Sequence, residues 1–230
     1  MKMFPQARIL RMDLDTTSKK GGHQEILSAF ARGEADILIG TQMIVKGHDF
    51  PRVTLVGALA ADLSLYAPDY RCGEETFDLL TQAAGRAGRS HIPGNMVIQT
   101  YQPDHYSIRT AASQDYESFY SQEMNFRRLL GYPPAVGLLT LTLSDRCEER
   151  LTGAAEALER MAALLPEHFL GKKLACIGPV NAPVYKVNDI YRKILYIKNE
   201  NYDILIQIRK MAEACLEGME GISLQSDLVL

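Results

Sequence analysis

Residues 82–89 read Gln-Ala-Ala-Gly-Arg-Ala-Gly-Arg, which sets Arg86 and Arg89 three positions apart. On a helix that spacing points both side chains to one side. Two guanidiniums on one edge suit a phosphate, because each planar fork contacts oxygens bidentately and keeps its charge. In phosphoryl transfer the charge spreads over the transferred oxygens, and an arginine finger stabilises it there. Gln82, about one turn earlier, is placed to position nucleotide or water, and small residues such as Gly85 let another surface approach closely. The same letters also fit a helix end where Arg and Gly serve solubility and capping.

A second segment runs Ile39-Gly40-Thr41-Gln42-Met43-Ile44-Val45-Lys46-Gly47-His48-Asp49-Phe50. It follows an apolar run. Gly40 permits close backbone approach, and exposed amides beside the Thr41 hydroxyl suit a phosphate. Lys46 adds a point charge and Gly47 an unusual turn, although an ordinary strand-to-helix turn reads the same way. A third group is Lys186, Arg192 and Lys193 with Tyr185 and Tyr191. Aromatic rings for bases and cations for phosphates suit branched or single-stranded DNA; an edge hairpin kept soluble by charge is the alternative. Asp69 and Arg71 form either a brace for the helix that presents Arg86 or a solvated turn.

Metal and redox chemistry find little support. His23, His48, His91, His105 and His168 show no ligand spacing, and Cys72, Cys147, Cys176 and Cys215 form no C-x-x-C pair. No phosphate-binding G-x-x-x-x-G-K-[ST] motif and no Asp-Glu pair occurs; the only Gly-Lys, Gly171-Lys172, lacks the flanking residues, and Lys172-Lys173 reads as a solvated turn.

The elements that must position these residues change character along the chain. Residues 7–13, 35–40, 53–61 and 95–101 read as short strands, 15–18 as a turn, and 22–32 and 75–87 as helices; Gly33 punctuates the first. Strands alternating with helices predict a parallel α/β sheet. Residues 104–130 read as two helices, and Gly131-Tyr132-Pro133-Pro134 ends them. We place the domain boundary there, giving domains 1–134 and 135–230. The second reads as strand 137–143, helix 148–165, strand 174–177, strand 191–198, helix 203–217 and strand 222–230. That β-α-β-β-α-β order predicts a smaller α+β, split-βαβ domain. A net charge of −3 over 230 residues confines any nucleic-acid site to a local patch. Apolar runs are too short to span a membrane, no signal peptide opens the chain, and unpaired thiols fit a cytoplasmic protein.

The motifs resemble those of superfamily 2 helicases. Gly40-Thr41-Gln42 through Phe50-Pro51 is similar to motif V and Gln82 to Arg89 to motif VI. The wider set resembles the primosomal replication-restart helicases: Arg11-Met12-Asp13-Leu14-Asp15-Thr16-Thr17, Pro68-Asp69-Tyr70-Arg71, Arg127-Arg128 with Tyr132-Pro133-Pro134, Gly178-Pro179 and Ile190-Tyr191-Arg192. The resemblance implies a RecA-like second helicase lobe followed by a DNA-binding domain, in a 3′-to-5′ ATP-dependent DNA helicase that restarts stalled forks and assembles the primosome. ATP and Mg²⁺ would sit between two lobes, held mainly by a first lobe outside this chain. Gln82, Arg86 and Arg89 would act at the γ-phosphate, with Gly40 and Gly85 beside the nucleotide. Thr41, Gln42 and Lys46 would meet DNA. Zinc is expected in the full-length family but not in this chain, and forked or single-stranded DNA, primosome proteins and single-strand-binding proteins are the implied partners. The chain is therefore expected to be a fragment, inactive alone. A non-catalytic DNA- or primosome-binding module, or another superfamily 2 motor, is the rival reading.

Overall fold

The structure, a computed structural model, describes residues 4–13, 22–44, 50, 52–88, 93–169 and 174–230. The expected 15–18 turn, Lys46, Gly47, His48, Arg89, His91 and Lys172-Lys173 lie outside these residues. The chain divides into two compact units, Met1–Tyr120 and Ser121–Leu230.

The first unit is built from parallel strand pairs. β1 (Ile9–Met12) pairs with β2 (Ile37–Gly40), and α1 (Gly22–Arg32) makes the crossover that a parallel pair requires. The apolar stripe of α1 brings Leu27, Ile26 and Phe30 onto Met12, Leu38, Ile44, Phe50 and Val53. Phe30 meets Phe50 edge-to-face at 5.0 Å. Gly33 ends α1 at φ 79°, with its N–H donated to the Phe30 carbonyl at 3.0 Å.

β3 (Leu55–Ala58) pairs in parallel with β4 (Asn95–Ile98). A 3₁₀ segment, Ala61–Tyr66, and α2 (Cys72–Ala84) connect them. The expected sheet is thus described as two parallel pairs. Phe77 and Leu80 of α2 pack with Ile108 and Ala111 of α3 (Tyr106–Ser113) and Phe119 of α4 (Tyr116–Leu130). Phe77 and Phe119 stack at 4.1 Å. Buried Asp62 accepts the Tyr101 backbone N–H at 3.2 Å, tying the segment after β3 to the end of β4.

The strands expected at 53–61 and 95–101 end at Ala58 and Ile98, and two further boundaries are corrected. α2 begins at Cys72 and stops at Ala84, not at 87, because Gly85 caps it and the chain is drawn off to β3, as described below. The strand expected at 174–177 runs on to Val187. Gly178, Pro179 and Pro183 do not break it, because it is an edge strand whose register shifts absorb them.

The second unit follows the order β5 (Gly137–Asp145), α5 (Glu148–His168), β6 (Ala175–Val187), β7 (Ile190–Asn199), α6 (Tyr202–Cys215), β8 (Ser223–Val229). Its antiparallel sheet has the strand order β6-β7-β5-β8. Alternate residues of the central strands, Leu139, Leu141, Leu143, Leu195 and Ile197, meet both helices. The α5 stripe of Leu151, Ala155, Leu158, Ala162 and Leu165 and the α6 residues Ile204, Leu205, Ile208 and Ala212 complete this core.

Asp145 closes the helix-bearing end of β5. Its buried carboxylate takes both Nε and Nη2 of Arg150, at 2.9 and 2.7 Å, and the Cys147 N–H at 2.7 Å. The guanidinium and the amide hold the carboxyl at about 2, below the ordinary 3.8. Deprotonation therefore stabilises the fold: the contribution is complete above the ordinary value and disappears as pH falls from about 4 to about 2. Asp145→Asn is expected to lower the melting temperature at neutral pH and to flatten its fall across that acid window, as followed by circular dichroism.

Candidate functional site

The sequence set Arg86 on a helix; the structure sets it just beyond one. Thr76, Phe77, Leu80 and Ala83 form the buried face of α2 and fix its axis, and Gln82 is exposed near its end. The chain then tightens: the Gly85 N–H donates to Thr81, Arg86 to Ala83 and Ala87 to Ala84, at 3.0, 3.0 and 3.2 Å. Gly88 leaves this turn at φ 72° and donates its N–H to the Val53 carbonyl at 3.1 Å. A Cβ on Gly88 would meet the backbone of Gly94, and a Cβ on Gly94 the backbone of Gly88 and Ala87. Two bare glycines thus clamp the turn between the start of β3 and the start of β4, and Arg86 stands half-buried inside it. Three-residue helical spacing therefore does not relate Arg86 to Arg89, whose position is not described.

At the far end of α2, about 20 Å away for 13 residues, Arg71 closes on Asp69. Nε and Nη2 reach the two carboxylate oxygens at 3.0 and 2.8 Å, and the Arg71 N–H adds a contact at 2.9 Å. The carboxylate raises the guanidinium pKa further. The pair is half-exposed and organises the helix entry. An exposed pair of this kind contributes at most about 1 kcal/mol.

Gly40 ends β2, and Thr41 and Gln42 lie exposed just beyond it, entering a 3₁₀ turn (Gln42–Ile44). A Cβ on Gly40 would overlap the Met12 carbonyl oxygen of β1 and approach Ile44 Cδ1 to 2.6 Å. Glycine is therefore what lets the chain turn at the carboxyl ends of two parallel strands, where α/β sheets bind ligands. Arg86 and the Gly40-Thr41-Gln42 turn belong to different strand pairs.

In the second unit the three expected cations divide. Lys186 donates to the Tyr191 hydroxyl at 3.2 Å, lies 4.6 Å from that ring and pairs with Asp189 at 3.2 Å. Tyr191 packs against the helix-side core, and the Tyr185 hydroxyl donates to Glu148 of α5 at 2.9 Å. Lys193 pairs across the sheet with core Leu143 and donates to Asn181 at 3.2 Å. Arg192 is paired with Ser144, so it points to the opposite face. Lys198 is a cation the sequence did not single out. It lies 3.5 Å from the Tyr132 ring centre and donates to the Leu130 carbonyl at 3.0 Å, while burial pushes its pKa down. Arg127, buried, donates to Glu123 at 2.7 Å and to the Pro133 carbonyl at 2.8 Å, fixing the turn into β5. Among the described residues no three His, Cys, Asp or Glu side chains gather as a metal site, and no helix is long and apolar enough to cross a membrane.

Residues 2–91 match the helicase conserved C-terminal domain, and residues 128–227 match the primosomal protein N C-terminal domain. The two together mark a helicase conserved C-terminal domain followed by a primosomal protein N C-terminal domain. The chain is 50% identical over 197 residues to the replication restart protein PriA of Bacillus subtilis, covering 86% of this chain and 24% of that protein. It is 42% identical over 203 residues to PriA of Chlamydia pneumoniae, covering 86% and 26%, and 38% identical over 213 residues to PriA of Synechocystis, covering 92% and 25%. It belongs to the PriA family and corresponds to a C-terminal part of its members. It spans about a quarter of the length of these relatives.

The glycine clamp has a measurable worth. Gly88→Ala places a side chain at positive φ and against the Gly94 backbone, so it is expected to destabilise the first unit by about 1–3 kcal/mol, read from urea denaturation.

Proposed function

We propose that residues 1–134 act as a RecA-like second helicase lobe and residues 135–230 as a DNA-binding domain, in an ATP-dependent 3′-to-5′ DNA helicase that restarts stalled replication forks. The observation that carries this reading is Arg86, held half-buried in a turn that two glycines clamp to the starts of β3 and β4. A preorganised guanidinium costs little reorganisation when charge develops on a transferred phosphoryl group. Arg89, three residues on, would share that charge, and Gln82 would position water or nucleotide. Gly40 and Gly85 let the nucleotide approach the backbone. Thr41, Gln42 and Lys46 would contact the DNA backbone, and from the second unit Arg192 would contact DNA on one sheet face, with Lys186 and Lys193 on the opposite face as the alternative contact surface. The β-α-β-β-α-β order and the β6-β7-β5-β8 sheet agree with the split-βαβ arrangement.

When bound, ATP with Mg²⁺ supplies the phosphoryl group whose hydrolysis drives translocation. In this reading the phosphate cradle and the Mg²⁺ ligands belong to a first lobe, and this chain's own part is to present Arg86 across the cleft. DNA at forks is the substrate. Primosome and single-strand-binding proteins are the partners that the PriA likeness suggests, and the site of work is the cytoplasm.

In the longer parent protein, Arg86→Ala is expected to cut DNA-stimulated ATP hydrolysis by about 10³- to 10⁵-fold, the worth of an arginine finger. Static DNA binding should hold. Arg86→Lys should not rescue, since an ammonium lacks the planar fork. Survival of ATPase in Arg86→Ala ends the finger assignment. The 230-residue chain alone should hydrolyse ATP negligibly, and robust turnover by the pure chain, measured as phosphate release, would contradict the two-lobe reading.

A further inference from the structure

The sheet of the second unit buries one face and leaves the other open. Both helices pack on the face of Leu139, Leu141, Leu143, Leu195 and Ile197. Directly paired residues of an antiparallel sheet point the same way, so the ladder itself tells which side chains share the opposite face. One row crosses it as Thr140, Tyr196 and Ile177, and the next as Thr142, Ile194 and Val180. Arg192 stands one row further, beside Ser144. Arg192, Ile194 and Tyr196 therefore line up on a single central strand, at every second residue.

On the β6 side this face is apolar where it is exposed, while β8 adds the polar Ser223, Gln225 and Asp227. Ile177 and Val180 are 51% and 45% exposed, large for β-branched residues in a sheet. Lys198 and Tyr132 close its other end through the Leu130 carbonyl. Arg192 is half-buried and has no hydrogen-bond or ion-pair partner among the described residues, unlike Lys186 and Lys193. A half-buried guanidinium without a counter-ion, on the same strand and face as an aromatic ring, complements an anion carried next to a flat apolar group. A short unpaired strand is such a ligand: one base stacks on the ring, and a phosphate further along the strand meets the cation, about 13 Å away by the rise of the β-strand. Duplex DNA fits less well, because its bases are already stacked. Asp227, opposite Thr140 on β8, sits two strands from Tyr196, or about 10 Å, and repels a phosphate backbone toward the Arg192 side.

We propose that this open face, centred on Tyr196 and Arg192, is a stacking platform for single-stranded DNA. The proposal rests on the reading of residues 135–230 as DNA-binding and locates that binding on the face away from α5 and α6.

The test is fluorescence anisotropy of the 230-residue chain with labelled mixed-sequence oligonucleotides, single-stranded and duplex, across a salt series. Tyr196→Leu should weaken single-strand binding about 5- to 150-fold, the worth of one stacked base, and Tyr196→Phe should restore it. Arg192→Ala should lower the slope of log affinity against log salt by about 0.7, one phosphate. Lys210→Ala, at an exposed position of α6, should leave both unchanged. The unsubstituted chain should lose a similar factor when the oligonucleotide is abasic, a measurement that needs no variant to fold. Parent-like binding by Tyr196→Leu and Arg192→Ala, a loss carried instead by Lys186→Ala and Lys193→Ala, equal binding of the abasic strand, or a preference for duplex would overturn the platform and leave the DNA-binding reading standing. No binding to either DNA at low salt would overturn both.

Discussion

An extended strand can give only every second side chain to one face, and the architecture of the second unit follows from that limit. β5 spends Leu139, Leu141 and Leu143 on the helix side, and β7 answers with Leu195 and Ile197. Burying one Leu or Ile stabilises by about 1.5–3 kcal/mol, so this face dominates the unit's stability and fixes the register. A one-residue slip of β5 would turn its three leucines outward together, and a slip of β7 would do the same to Leu195 and Ile197. Once register is fixed, the residues between them have no choice of side. Thr140, Thr142, Ile194 and Tyr196 are committed to the open face by the burial of their neighbours.

The first unit meets a different constraint. Its strands are four residues long, too short to hold a turn by ladder bonds alone, and they rely on backbone close to backbone. Gly40 against the Met12 carbonyl and Gly88 against Gly94 are both places where one methyl group would collide with main chain. The two motifs that carry the proposed chemistry each contain one of these contacts. Rigidity at the chemistry-bearing turns thus comes from an absence of side chain, which suits loops that must meet a ligand's charge in a preset geometry.

Much of this could be read from local pattern. The helical stripe from Leu151 to Leu165 and the alternation through β7 are period signals, and both elements lie close to where they were expected. Gly33 marked the end of α1 because its conformation there is local. What could not be read depends on partners distant in sequence. Residues 82–89 look helical to the end, and the hydrogen bond from the Gly88 N–H to the Val53 carbonyl is what ends the helix earlier. Gly178, Pro179 and Pro183 look like breakers until β6 is known to lie at an edge. Arg192 and Lys193 look like one basic patch, and adjacency in a strand is the very thing that separates them. Gln82, Gly85, Arg86, Gly40, Thr41 and Gln42 all lie at or near the ends of regular elements, where side chains can be presented. The sequence signal for them was composition and spacing, and it was silent on Lys198, whose role comes from the Leu130 carbonyl and the Tyr132 ring.

The form of β6 has a consequence for how the unit behaves in a crowded solution. A flat outer strand with an exposed apolar flank would invite a second sheet to add to it, chain after chain. β6 has two residues, Pro179 and Pro183, that offer no amide hydrogen, and two register shifts that bend its line. Any strand laid against it would leave its own groups unmatched at those points. The unit can therefore leave the apolar side chains of β6 bare while its rim resists fibril growth.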